Sequence, residues 1–367
     1  MKNTKITYAQ VGDDYDTKDP IKKLAQQYAI QTVIWQKSGF REFSQSRGES
    51  AYVWKVDKTL MASVVEGLGT KNLVADAMRK ISGKTYYDII GHDTVATIIN
   101  DLVTVGAQPL VVHAFWAFQD NSWLQDEKRL RDLIRGWRDA CKLSGASWGG
   151  GESPTLKGII EPNTVNLAGS AVGKIENEKV YIKDQKLKKA DRIIFIKSNG
   201  INCNGLSLAR AIAKKLPKGY ATKIDGGRRY GDALLTKTNI YAKLVRDLIN
   251  ERVDVHYISN ITGHGLRKIM RARQNFTYTI EKLFKPQPLF PFIQKWANLT
   301  DYEMYDEFNM GQDYAIFLSA KDVKQAQEII RKNGFESLDA GYLEKGPRQV
   351  IIKSKKIKFS SETLDLR

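Results

Sequence analysis

Cysteine is scarce: Cys141 and Cys203 are the only two in 367 residues. That excludes a disulfide framework and suits a reducing compartment, so the sequons at Asn275 and Asn298 carry no weight. No run of about 18 apolar residues occurs, so no transmembrane helix is expected. The start, Met1-Lys2-Asn3-Thr4-Lys5, leads into polar sequence without the apolar stretch of a signal peptide. A cytoplasmic location is the expectation. There is no internal repeat and no low-complexity segment. Basic residues are in excess, with a net charge of +17, yet no arginine-rich arm, zinc-finger or RNA-recognition signature accompanies them. Lysines spread along a chain create a basic field that concentrates phosphorylated metabolites and ATP. Neither a nucleic-acid nor a membrane partner is expected.

What is present describes a globular protein. The chain is 42% hydrophobic and 27% charged, and long enough for two domains. We divide it into a polar segment over 1–50, a first domain over 51–174, a second over 175–353 and a basic, frayed tail over 354–367. The boundary falls at the lysine-rich run from Lys174 to Lys189. In the first segment, Lys22-Lys23 and Lys37-Ser38-Gly39-Phe40-Arg41 either order over an anionic ligand or are solvated.

Tyr52–Val56, Leu60–Val65, Pro109–Ala117 and Val165–Gly173 read as strands. Asp88–Val105 reads as a helix on the spacing of Ile89, Val95, Ile98, Ile99, Leu102 and Val103, and Leu130 to Cys141 as an amphipathic one. Asp93 and Asn100 lie seven apart, on one helix face. The strand Arg192–Ile196 runs through small polar residues into a helix from Leu206. Leu234–Ile249 reads as one long helix, and Ser259–Gly265 as a loop opening another. Strands at Asp313–Ser319, Gly341–Leu343 and Gln349–Ile352 surround a helix over Lys321–Lys332.

Three polar, glycine-rich elements carry chemistry. They are Val65-Glu66-Gly67-Leu68-Gly69-Thr70-Lys71, Gly91-His92-Asp93 with Asn100-Asp101, and a turn at Gly149-Gly150-Gly151 followed by Glu152-Ser153. Glycine lets backbone N–H groups approach an anion. Carboxylates beside that anion need a divalent cation between them, and Mg²⁺ commonly bridges carboxylates to phosphates. The set therefore reads as a Mg-nucleotide site built from distant loops. It is not a Walker loop: the glycine spacing is wrong and no Ser/Thr follows Lys71. Each element taken singly also fits an ordinary turn.

These motifs, taken with several others, resemble the aminoimidazole ribonucleotide synthetase family, the phosphoribosylformylglycinamidine cyclo-ligases of purine biosynthesis. Residues 65–71 resemble its T-D-G-V-G-T-K, and 91–110 its G-x-D…N-D-L…G-A-x-P-L. Gly150-Gly151-Glu152-Ser153 with Leu167–Gly173 resembles G-G-E-T…L-A-G-F-A-V-G, and Asn204–Leu208 resembles S-N-G-Y-S-L. Glu303–Gly311 resembles E-M-x-x-x-F-N-M-G, the most particular of them. The N-terminal motifs are shared, in looser form, with selenophosphate synthetase, thiamine monophosphate kinase and a hydrogenase-maturation dehydratase.

The resemblance implies an α/β (α+β) protein of two domains. A mixed or antiparallel N-terminal sheet forms a barrel with a dimer mate, and a C-terminal α/β sandwich follows. It implies ATP and Mg²⁺ as cofactors, a phosphorylated small-molecule substrate, and a homodimer. The apolar strands 52–56, 60–65 and 109–117 also need cover, from a second copy or from the chain's own helices. ATP would phosphorylate the substrate's amide oxygen, after which a nitrogen of the same molecule closes the imidazole ring. The expected site is Glu66, Asp93, Asp101 and Glu152 for the metal, and Gly67, Gly69, Thr70, Lys71, Asn100, Gly150 and Gly151 for ATP. Asn204, Ser207, Thr262 and Gly263 would bind substrate, and Asp93, Lys71, Asn260 and Asn202 would serve catalysis.

The chain departs from the family pattern. Glu66 stands for its aspartate, Asn202 and Asn260 for two histidines, and His264 for the middle glycine of A-H-[IL]-T-G-G-G; P-T-R-I-Y becomes Lys237–Tyr241. The N-terminal segment keeps only Gly39 and Gly48 of a richer set. Asparagine hydrogen-bonds like one face of histidine but carries no proton near neutral pH. Asn202 and Asn260 are thus expected to orient substrate. His264 is either a displaced replacement or a solvent-facing helix-start residue, and His92, His113 and His256 read as structural. Other outcomes also remain open: a paralogue phosphorylating another small carbonyl or amide, or a homologue that binds ATP without turnover.

Overall fold

The computed structural model describes residues 5–7, 9–12, 15–35 and 39–364. Lys37 and Ser38 lie outside them, as do Asp365–Arg367 of the tail. No helix among the described residues is long and apolar enough to cross a membrane. The helix α1 (Tyr15–Gln31) precedes two sheets, each backed by helices.

The first sheet comprises β1 (Phe40–Glu42), β2 (Tyr52–Val56), β3 (Thr59–Gly67), β4 (Gln108–Phe118), β5 (Ser147–Glu152) and β6 (Val165–Ile175), in the order β1-β2-β3-β6-β4-β5. Only the β4–β5 pairing is parallel. Strict alternation buries Val165, Leu167, Ala171 and Ile175 of β6 on one face. The helices α2 (Lys71–Ser82), α3 (Tyr87–Leu102) and α4 (Glu127–Ser144) accompany this sheet, and α3 packs on that face.

α3 and α4 cross closely because both carry glycine at the crossing. A Cβ on Gly136 would meet the Asp88 carbonyl oxygen at 2.0 Å, and one on Gly91 the Leu133 carbonyl oxygen at 2.4 Å. Gly91, read as part of an anion site, is a helix-packing residue. Gly136→Ala is therefore expected to destabilise by roughly 1–3 kcal/mol or more through overpacking. An unchanged denaturation midpoint would refute that crossing.

The second sheet holds β7 (Arg192–Lys197), β8 (Val255–Asn260), β9 (Phe276–Ile280), β10 (Gln312–Leu318), β11 (Ser337–Lys345), β12 (Gln349–Ile352) and β13 (Ile357–Ser360). Their order is β13-β12-β9-β11-β7-β10-β8, with only β9–β12 parallel. β8 and β10 are buried at every residue. Around them lie α5 (Leu206–Ala213), α6 (Tyr230–Leu234), α7 (Ala242–Asn250), α8 (Leu289–Ala297), α9 (Asp301–Glu307) and α10 (Val323–Lys332). Two mixed sheets with their helices make an α+β fold.

Three expectations fail locally. The long helix over 234–249 is broken: residues 236–241 form an extended strap between α6 and α7. Side chains of α3 hold that strap by its backbone. Asp93 accepts from the Thr238 N–H at 2.9 Å, and Asn100 both accepts from the Tyr241 N–H at 3.0 Å and donates to the Asn239 carbonyl at 2.8 Å. These bonds replace those a helix would make. The glycine triplet 149–151 is a bulged edge strand, not a turn. A Cβ on Gly151 would lie 2.1 Å from the Ala114 carbonyl oxygen, and Gly150 adopts φ +99°. The described part of the tail does not fray, since β13 pairs with β12 and buries Ile357 and Phe359.

Candidate active site

A polar cavity of about 580 Å³ lies between the two sheets' helices and under α1. Residues 67–70, between the end of β3 and the start of α2, form one wall. Thr70 precedes α2 without making a side-chain cap, and its buried hydroxyl has no partner among the described residues. Residues 203–207 form a second wall at the start of α5, where Gly205 also leaves the helix uncapped by a side chain. Two helix N-termini thus present N–H groups and positive dipole ends to one space. Asn204, Ser207, Thr262 and Gly263 line it, as do Gly67 and Gly69.

Of the four carboxylates assigned to a metal, two reach the cavity: Glu66 at the end of β3 and Asp101 on α3. Burial pushes the Glu66 carboxyl up to about 7, and the Asp101 charge pushes the same way. Asp101 accepts from Asn260 Nδ2 at 2.7 Å. Two carboxylates that repel each other beside an anion-binding wall fit Mg²⁺, which keeps waters and shares phosphate oxygens. The other two do not join them. Asp93 is fully buried, its oxygens taken by Lys71 Nζ at 2.5 Å and the Thr238 N–H. Glu152 is exposed on β5, and strands β4 and β6 separate it from Gly67, about 14 Å at ordinary strand spacing. No group of three or more His, Cys, Asp or Glu among the described residues forms a metal cage.

The assigned catalytic residues are likewise interior. Lys71 is fully buried and donates to Asp93, the Asn202 carbonyl and the Thr236 carbonyl, the last two at 2.9 Å. Those three acceptors use all its protons. Asn202, at φ +58°, donates to Asp313, which also accepts from Tyr241 at 2.5 Å. Burial pushes the Asp313 carboxyl up to about 6. Asn260 is spent on Asp101. Asn202 and Asn260 therefore set the loops and the carboxylate from behind, and do not face the cavity. Asn100 holds the strap, and Gly150 and Gly151 sit on the sheet edge.

The cavity also includes residues that motif reading passed over: Lys18, Gln26, Thr97, Lys268 and Arg271, with Lys22 from the pair that was left open. Lys268 donates to Thr262 Oγ1. Burial pushes its ammonium down despite Asp101 nearby, and Arg271 adds to the fall. His264 is at a helix start, as one reading had it, but is buried with Asp19 3.4 Å away. Burial, then Arg267, pushes it down to about 3, so it is neutral near pH 7. The Glu303–Gly311 motif reaches the loop that leads into the second wall. Glu303 closes a capping box on α9, and Asn309 donates to the Gly200 carbonyl at 2.8 Å.

Two α+β units closing on a polar cavity, with two uncapped helix starts and a carboxylate pair, define a protein built to hold multiply charged anions. The family model for the AIR synthase related protein N-terminal domain matches residues 48–175, and that for the C-terminal domain matches 188–354. The chain belongs to the AIR synthase related protein family. It is 31% identical to the phosphoribosylformylglycinamidine cyclo-ligase of Caldicellulosiruptor saccharolyticus, over 96% of this chain and 100% of that one. It is 32% identical to the protein of that name from Thermococcus kodakarensis, over 92% and 95%. Among solved structures, a chain of the HypE–HypF complex aligns with a TM-score of 0.62 at 13% identity, covering 92% of this chain and 98% of that one. ThiL complexed with AMPPCP and TMP aligns at 0.60 and 11%, covering 91% and 94%. At such identities these two establish the fold.

Proposed function

We propose that the protein is an ATP-dependent cyclo-ligase that closes formylglycinamidine ribonucleotide to aminoimidazole ribonucleotide in purine biosynthesis. The relatives that share nearly its whole length bear that activity's name. The structural observation that carries the reading is the start of α2, left without a side-chain cap at Thr70, on the same cavity as Glu66 and Asp101.

In this reading Gly67, Gly69 and Thr70 hold the polyphosphate of ATP by backbone N–H groups. Glu66 and Asp101 hold Mg²⁺, which when bound supplies charge neutralisation for the transferring phosphoryl group. Asn204, Ser207, Thr262 and Gly263 orient the ribonucleotide so that its amide oxygen meets the γ-phosphorus. The phosphoryl group passes to that oxygen with loss of ADP. The substrate's own nitrogen then attacks the activated carbon, and phosphate leaves with the former amide oxygen. Positioning and charge dominate such chemistry, with little covalent work by side chains. Lys71, Asp93, Asn202 and Asn260 act one layer back, holding the walls.

We further propose a homodimer through the open face of the first sheet and a cytoplasmic site of action. Val65 is 77% exposed and Phe115 37%, and strand register puts both on the face opposite α3. Incubation with formylglycinamidine ribonucleotide, ATP and Mg²⁺ should yield aminoimidazole ribonucleotide, ADP and phosphate together. ATP turnover with another amide and none with this one would refute the substrate, and a monomer mass by light scattering at micromolar concentration would refute the dimer.

A further inference from the structure

α1 turns its polar side inward. Lys18, Lys22 and Gln26, spaced by four, line the cavity, while Ile21, Leu24 and Tyr28 are more than half exposed. A helix resting on an apolar core does the reverse. Asp19 lies 2.9 Å from Lys22 and 3.4 Å from His264, so it ties the helix to the loop of Thr262 and Gly263. Beyond that loop come Lys268 and Arg271, both lining the cavity. Arg271 is held by the Gly48 carbonyl at 2.7 Å and Ser50 Oγ at 3.0 Å.

Four cationic side chains from two elements thus face one space. Like charges collected on a wall repel one another, and an anion between them relieves the repulsion. Lys22 and Arg271 both oppose the charge on Lys268, and Lys22 and Lys268 both oppose one on His264. Asp19 beside Lys22 and Glu49, 3.9 Å from Arg271, offset part of this charge, and Glu66 and Asp101 are claimed by the metal in the reading above.

We propose that Lys18, Lys22, Lys268 and Arg271 form a binding site for a phosphomonoester dianion, with α1 as its cover and Asp19–His264 as the tie. The site is distinct from the polyphosphate wall at Gly67–Thr70. On the proposed function, its occupant is the 5′-phosphate of the ribonucleotide; the same chemistry would accept the orthophosphate released. Lysine and arginine on one phosphate make charge-assisted bonds, roughly twice as strong as neutral ones.

Calorimetric titration of the full chain with ribose 5-phosphate, orthophosphate and AMPPCP tests this. The expected result is ribose 5-phosphate binding that weakens by about tenfold or more in Lys18→Ala/Lys22→Ala. AMPPCP binding should stay unchanged in that variant, and Lys22→Arg and the outward-facing Leu24→Ala should bind ribose 5-phosphate normally. Absence of binding in the wild type, equal affinity in the double variant, or a parallel loss of AMPPCP affinity would each overturn the proposal. Orthophosphate binding more tightly than ribose 5-phosphate would overturn the assignment to substrate. Binding that behaves as expected in a protein that does not turn over formylglycinamidine ribonucleotide would refute the proposed function and leave the phosphate site standing.

Discussion

Lys71→Met should cost roughly 3–5 kcal/mol of stability, because it leaves the Asp93 carboxylate buried without its cation. Both side chains are fully buried, and their 2.5 Å ion pair sits between α2, α3 and the strap. Asp93→Asn should cost a comparable amount, by stranding the lysine. The double variant should recover a large part of the loss, since it removes both charges and keeps an acceptor for the Thr238 N–H. Chemical denaturation of the four proteins gives the coupling directly. If Asp93→Asn kept its midpoint and instead altered Mg²⁺ dependence, Asp93 would be a metal ligand after all, and its interior role would be wrong.

Glu66→Gln should abolish function while helping the empty protein fold. Turnover is expected to fall by roughly 10²–10³-fold or more, the scale for losing a charge that stabilises the transition state. The stability effect has the opposite sign. Burial raises the folded-state pKa of Glu66 from 4.5 to about 7, so the folded protein binds its proton more tightly than the unfolded chain does. That contribution is complete below about pH 4.5 and lost as pH rises through 7. The glutamine variant carries no such loss, so its advantage over the wild type should grow between pH 5 and 8 and level off above. Added Mg²⁺ with AMPPCP should stabilise the wild type and not the variant. A variant that loses stability at pH 8, or responds to Mg²⁺ like the wild type, would remove Glu66 from the metal site.

The sequence by itself determined several of the elements and part of the walls. Apolar and β-branched runs located strands β2, β3, β4 and β6, since such side chains fit a pleated surface with a face that leaves water. Small polar residues before apolar periodicity located the start of α5, while α2 went unread; the glycine-rich motif and the family resemblance marked Gly67, Gly69, Thr70, Asn204 and Ser207, which line the cavity. The resemblance to a known family led to the fold and the family correctly. What a motif cannot tell is which way its side chains point. Gly91, Asp93 and Asn100 stand beside Asp101 in the chain, yet only Asp101 reaches the cavity. The others serve a helix crossing and a strap that meets α3 some 140 residues later in the sequence. Lys71 follows Thr70 directly and turns into the interior, because a helix rotates each residue about 100° from the last. Lys22 was marked only as one of a pair that either orders over an anion or is solvated, and Lys18, Lys268 and Arg271 gave no local signal. Only the tertiary structure gathered them, since cavity walls are made by contacts between segments far apart in the chain.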